Sequence, residues 1–161
     1  MAYPIPAEFA ETEIVAVNSR FIASAAPVFS TEEGRAFIQK IKTRYPDATH
    51  HVPAFVIGFG NSVSAYCSDD GEPSGSSGRP VLAVLQGSGL GDAAIVVTRY
   101  FGGTKLGIGG LVHAYGDAAK AVLSILPRAC KVATSTVMLA VDYSLFERVR
   151  LMLTRHHAET L

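Results

Sequence analysis

Apolar and polar positions recur along this chain with a period that changes from block to block. Residues 1–12, rich in Pro, Ala and Glu, follow no period and read as a loose leader. From Glu13 to Ala26 the apolar positions Ile14, Val15, Val17, Phe21 and Ile22 predict extended structure, two strands broken near Asn18-Ser19. Ser30-Thr31-Glu32-Glu33 has the form of a capping box. Phe37, Ile38, Ile41 and Tyr45 follow at helical spacing, so a helix is predicted there, ended by Pro46. Val52–Phe59 and Val63–Cys67 are β-rich, and Gly58-Phe59-Gly60-Asn61 suits a hairpin turn between them. A polar turn, Ser68–Arg79, precedes a short helix that Pro80 opens and that ends near Leu85. Ala93–Phe101, with Ile95-Val96-Val97, predicts a buried strand. Glycines crowd 102–110, and the Ala- and Leu-rich stretch Leu111–Leu126 predicts a helix stopped at Pro127.

Beyond Pro127 the pattern starts a second unit. Thr134–Asp142 alternates as a half-buried strand should, and Ser144-Leu145-Phe146-Glu147 is a second capping box opening a helix to about Arg155. One strand and one helix cannot bury both of their faces. The organisation expected is therefore a leader over 1–12, a domain over 13–130 and a partial unit over 131–161. An open sheet edge in that partial unit offers a route to pairing with a second subunit.

Composition narrows the functional classes. Hydrophobic residues make up 48% of 161, enough for a sizeable core and too many for a disordered chain. Lys+Arg and Asp+Glu balance at 14 each, so no global basic field draws the chain to nucleic acid, and any such contact must be local. The two cysteines, Cys67 and Cys130, form no C-x-x-C pair, which argues against a zinc site or a disulfide framework. The acidic N-terminus has no signal-peptide core, and no apolar run is long enough to span a bilayer. A cytoplasmic protein without a cofactor is expected.

Two segments carry candidate chemistry. In Ser68–Arg79 the carboxylates Asp69, Asp70 and Glu72 fall within four residues and repel one another unless a cation or donors hold them. They suit a Mg²⁺ or cationic-substrate site, or else a structural turn whose aspartates accept backbone N–H groups; the spacing favours the turn. In Thr98–Leu111 a strand runs through a glycine-rich loop into a helix. A helix start offers unpaired N–H groups and partial positive charge, and Gly107, Gly109 and Gly110 let a ligand approach the backbone. Arg99 and Lys105 add donors, which makes a phosphate cradle; the plain alternative is that these glycines serve close packing of helix on sheet. Neither G-x-x-x-x-G-K-[ST] nor G-x-G-x-x-G is satisfied. His50 and His51 are adjacent and point to opposite faces if on a strand. Cys67 precedes the acidic loop, which raises its pKa and makes it a poor nucleophile. No catalytic arrangement and no metal-ligand set follow from the spacing.

At these two segments the chain resembles the IMPACT/YigZ-like family. DDGEPSGSSGRP is similar to the family's DDGEPSGTAGxP, and TRYFGGTKLGIGGLVHAY to TRYFGGxKLGxGGLxRAY. Ser19-Arg20-Phe21 and Asp47-Ala48-Thr49-His50 match two further family elements, so the resemblance runs from about Glu13 to Pro127. It implies an α+β two-layer sandwich similar to ribosomal protein S5 domain 2. It also implies a following ferredoxin-like domain, of which Thr134–Leu161 matches only the first strand and helix. The chain departs from the family pattern at Ser76, Ser77, His51 and His113; the last removes a permanent positive charge beside the cradle.

The functional expectation is a non-enzymatic regulatory module that binds RNA or a ribosome-associated partner. The eukaryotic family member resembles a translational regulator. Arg20, Arg79, Arg99 and Lys105 are the expected phosphate donors, with Tyr100 and Phe101 available for stacking. Two rival readings stand beside it. One is an enzyme acting on a phosphorylated small molecule or nucleotide, with Asp69, Asp70 and Glu72 on Mg²⁺. The other is purely structural, the acidic loop pairing with the Arg99/Lys105 segment to fix the fold.

Overall fold

The computed structural model describes residues 2–156 and 158. In chain order the elements are β1 (Ala2–Pro6), β2 (Ala10–Ala16), β3 (Ser19–Pro27), α1 (Thr31–Arg44), β4 (His50–Ile57), β5 (Ser64–Cys67), α2 (Gly78–Gly87), β6 (Ala93–Tyr100), α3 (Gly107–Ile125), β7 (Arg128–Val132) and α4 (Phe146–Arg155). Five strands form one sheet in the order β2-β3-β6-β4-β5, every neighbouring pair antiparallel. This is an α+β sandwich with the sheet laid on α2 and α3. Phe21, Ala23, Val52, Ala54, Ile95 and Val97 point to that side and meet Leu85, Tyr115, Ala118 and Val122. The alternate positions Ala26, Phe55, Ala94 and Val96 point the other way and meet Phe37 and Ile41 of α1. The period of two splits β3, β4 and β6 between two cores, and β4 and β6, in the middle of the sheet, are buried on both faces.

The local signals act as read at several places. The Ser30 hydroxyl accepts the Glu33 N–H at 3.1 Å, and the Glu33 carboxylate reaches back to the Phe29 N–H at 2.8 Å. The break near Asn18 is a tight hairpin turn with Val17 and Asn18 both at positive φ.

Three expectations are corrected. The leader is not loose: Ala2–Pro6 is a strand antiparallel to β7, in register from Ala2 opposite Val132 to Pro6 opposite Arg128. Its prolines are tolerated because a two-stranded ribbon has no second ladder to satisfy. Asp92 fastens it, accepting from Tyr3 Oη (2.7 Å), Gly58 N–H (2.8 Å) and Lys131 Nζ. The second correction concerns α3, which begins at Gly107 rather than Leu111, so the last glycines of the loop form its first turn. Finally, Thr134–Asp142 forms no strand. No described strand lies beside it to take its backbone hydrogen bonds, and Val137, Met138 and Leu139 are exposed. The helix after it does form, without a side-chain cap from Ser144, and its Glu147 pairs with Arg150 instead.

Candidate functional site

The site lies at one end of the sheet, where β3 and β4 begin and β6 ends. Register places Phe21 and His50 on either side of Arg99, all on the face toward α3. Arg99 is 5% exposed, and its guanidinium donates through Nη1 to Glu72 Oε1 (2.6 Å) and through Nη2 to Ser19 Oγ (3.3 Å). Tyr115 Oη, on α3, donates to the same Glu72 oxygen at 2.7 Å. Burial and that bond to a carboxylate push the Tyr115 hydroxyl's pKa far above the ordinary tyrosine value. His50 completes the group: Nδ1 donates to the Asp70 carbonyl at 2.8 Å, and Nε2 lies 3.7 Å from Glu72 Oε2. His51, one residue on, points to the other face and donates to the Tyr45 carbonyl at 2.7 Å. Arg99 Nε, by contrast, is buried with no partner.

The three carboxylates of the acidic loop serve three separate purposes. Asp69 takes the N–H groups of Gly75 (2.8 Å), Ser77 (3.2 Å) and Gly78 (2.8 Å) and the Ser77 hydroxyl (2.9 Å), closing the loop and holding the start of α2. Burial alone raises its pKa, but these donors outweigh burial and leave it below the ordinary range. Asp70, at positive φ, is likewise lowered: burial opposes, while Lys42 Nζ (2.8 Å) and the His51 N–H (2.7 Å) prevail. Glu72 is taken by Arg99 and Tyr115. Among the described residues no cluster of His, Cys, Asp and Glu is arranged to hold a metal ion. Burial, with Asp69 nearby, raises the Cys67 thiol.

The glycine-rich loop stands against this polar group. A Cβ on Gly102 would meet the Asn18 carbonyl oxygen at 1.9 Å, so only glycine lets the loop rest on the β2–β3 turn. Gly102 N–H also bonds Ser19 Oγ at 3.3 Å, and Phe101 N–H bonds Thr49 Oγ1 at 3.1 Å. Gly107 sits at φ +73°, a conformation that sets the angle at which α3 leaves the loop. The first turn of α3 has no side-chain cap, and Lys105, Gly107, Ile108 and Gly109 are exposed, with Gly110 half-buried.

The expected cations do not form one patch. Arg99 faces inward. Arg20, one position along β3 from Phe21, faces the opposite side of the sheet, pairs with Glu13 at 2.9 Å and covers the Tyr100 ring at 5.2 Å. Arg79 is exposed in the first turn of α2, and Lys105 beside the start of α3. Sequence reasoning missed Ser19 as a partner of Arg99, and Tyr115 and His50 as neighbours of Glu72. A lone Tyr in the Ala-rich stretch 111–126 was the available signal, because a buried Tyr hydroxyl needs a partner.

The fold and this loop define a class: an α+β sandwich carrying a glycine-rich strand-loop-helix braced by a buried Arg–Glu–Tyr network. The profile of the Impact N-terminal domain matches residues 17–123, which hold every part of that network. The chain belongs to the IMPACT family. It is 39% identical over 160 residues to an IMPACT family member of Haemophilus influenzae, across 99% of this chain and 78% of that one. It is 50% identical over 111 residues to YvyE of Bacillus subtilis, across 69% of this chain and 51% of the relative. It is 42% identical over 127 residues to YigZ of Escherichia coli, across 78% and 62% respectively. A crystal structure of a hypothetical protein superposes with a TM-score of 0.80 at 35% identity, covering 99% of this chain and 78% of the other. No described helix is long and apolar enough to cross a membrane.

Proposed function

We propose that this chain is a non-enzymatic binding module of the cytoplasm that grips the phosphate backbone of RNA at the start of α3. Through that contact it takes part in regulating translation, the role that the family resemblance implies. The carrying observation is the uncapped, exposed first turn of α3 with Lys105 beside it. A helix start carries roughly half a positive charge and unpaired amides, a ready site for an anion. The loop's first two residues are held by Thr49 and Ser19, which lowers the ordering cost to be met on binding. The enzyme reading has less support, because Asp69, Asp70 and Glu72 are each engaged by protein donors. The ion pair of Glu72 with Arg99 supports the structural reading for that part of the site.

Fluorescence anisotropy with a short labelled RNA tests the proposal. Affinity should fall with salt, and Lys105→Ala should reduce the slope of log affinity against log salt by about one. Gly109→Asp is sharper. A Cβ there meets nothing within 4 Å, and an acidic residue in the first turn stabilises a helix by about 0.3–1 kcal/mol. The variant should therefore melt no lower than the parent yet lose most of its RNA affinity. RNA binding that is absent at low salt, or unmoved by Gly109→Asp, sinks the proposal.

A further inference from the structure

Resting on that reading, we propose that the Phe101 ring is a stacking platform for an unpaired nucleobase, so that the RNA gripped here is single-stranded. Phe101 is 46% exposed, at the point where β6 gives way to the loop. Its backbone is fastened on both sides, by Thr49 at its own N–H and by Ser19 at the next. Its ring is backed by the Arg99 guanidinium, 5.4 Å from the ring centroid, and that guanidinium also lies over the Phe21 ring at 5.6 Å. Arg99 cannot swing away, because Glu72 and Ser19 hold it.

The arrangement costs folding stability twice. It leaves Arg99 Nε buried without a partner and a large aromatic ring half in water. An unpaired donor and an exposed ring, held in place by a rigid surround, suit a binding surface. The neighbouring ring does not qualify. Tyr100 is half-buried, its hydroxyl is tied to Asp47 at 2.8 Å, and Arg20 covers its face.

The partner's chemistry follows from what surrounds the ring. Lys105 and the open amides of α3 lie four to eight residues along the chain, so the partner is an anion that also carries flat apolar faces. Nucleobases on a phosphate chain fit, and only an unpaired base has a free face to offer. A guanidinium behind a ring draws electron density from it, which favours stacking with an electron-rich purine.

The test uses the full chain with three probes of equal phosphate number: oligoadenylate, the same backbone without bases, and a duplex. The parent should bind oligoadenylate about tenfold more tightly than the other two. Phe101→Ala and Phe101→Leu should bring oligoadenylate down to the abasic level, with thermal unfolding as the folding control. Phe101→Trp should keep the preference, and its emission, the only Trp signal in the chain, should be quenched by the base. Equal affinity for abasic and base-bearing strands, with the dependence on salt and Lys105 intact, overturns the stacking proposal and leaves the phosphate reading standing. A preference for duplex also overturns the stacking proposal. Loss of all binding by the parent overturns both. If Phe101→Leu binds RNA like the parent but sediments less with ribosomes, the ring meets a protein and the nucleobase proposal falls.

Discussion

Strand β6 is flanked at its start and closed at its end by a buried charge, and the two ends use it differently. Before its first residue stands Asp92, a buried carboxylate whose oxygens accept from Tyr3, Gly58 and Lys131. Those partners come from distant parts of the chain, so Asp92 ties the N-terminal strand, the β4–β5 hairpin and β7 into one body. At the other end stands Arg99, a buried cation whose partners also converge from far apart, but whose ring neighbour Phe101 is left facing water. Both ends satisfy the rule that a buried charge must be paired. The Asp92 end leaves none of its carboxylate oxygens unused, whereas the Arg99 end leaves the Arg99 Nε donor orphaned. Under the stacking proposal, two comparable charge clusters serve opposite purposes, closure at one end and presentation at the other.

The contrast can be broken most forcefully at Glu72. Glu72→Ala orphans Arg99 and Tyr115 together and should cost about 3–5 kcal/mol in urea unfolding. Adding Arg99→Met should recover part of that loss, since it removes the stranded cation while the Tyr115 hydroxyl stays unpaired. If the single variant unfolds like the parent, the network braces nothing.

Asp92 is next. Asp92→Ala should cost about 1–3 kcal/mol by stranding the Gly58 N–H and the Tyr3 hydroxyl. It should also change the acid limb. Burial opposes ionisation of Asp92, but Lys131, Tyr3 and Gly58 more than offset it, so its folded pKa lies below the ordinary value of about 3.9. A lowered carboxylate contributes stability that is complete above the unfolded pKa and lost as pH falls through the folded one. Unfolding between about pH 5 and 2 should be less steep in the variant than in the parent. An unchanged acid limb would show that other carboxylates lowered in the same sense, Asp69, Asp70 and Glu13, carry it.

The smallest effect should come from the turn that supports Gly102. Val17 sits at φ +45°, a conformation that costs a β-branched residue about 1–2 kcal/mol, and it is 53% exposed. Val17→Asn should raise the melting temperature by a few degrees. A fall instead would mean that the Val17 side chain supports the loop more than its backbone strains it.

Much of this fold could be read locally because local physics decides it. The capping box at Ser30–Glu33, the strand break at Asn18, the hairpin after Ile57 and the stop at Pro127 each follow from a few neighbouring residues. The two motifs that mark the family were likewise visible as strings. Assignment of partners was not. Glu72 and Arg99 lie 27 residues apart, and nothing local distinguishes Glu72 from Asp69 or Asp70 as the one that meets the guanidinium.

In Thr98-Arg99-Tyr100 successive side chains must point to opposite faces, but the pattern does not say which face is the inner one. Pairing with β3 and β4 settled that, sending Arg99 toward α3 and Tyr100 to the other side. The Pro-rich leader became a strand only because β7 lay free to take its hydrogen bonds. The sequence alone determined most of the elements between Glu13 and Leu126, since these depend on backbone preference and nearby side chains. Tertiary structure decided which charges were buried, which were paired and which rings were left in water, since those depend on contacts that exist only once the sheet has closed.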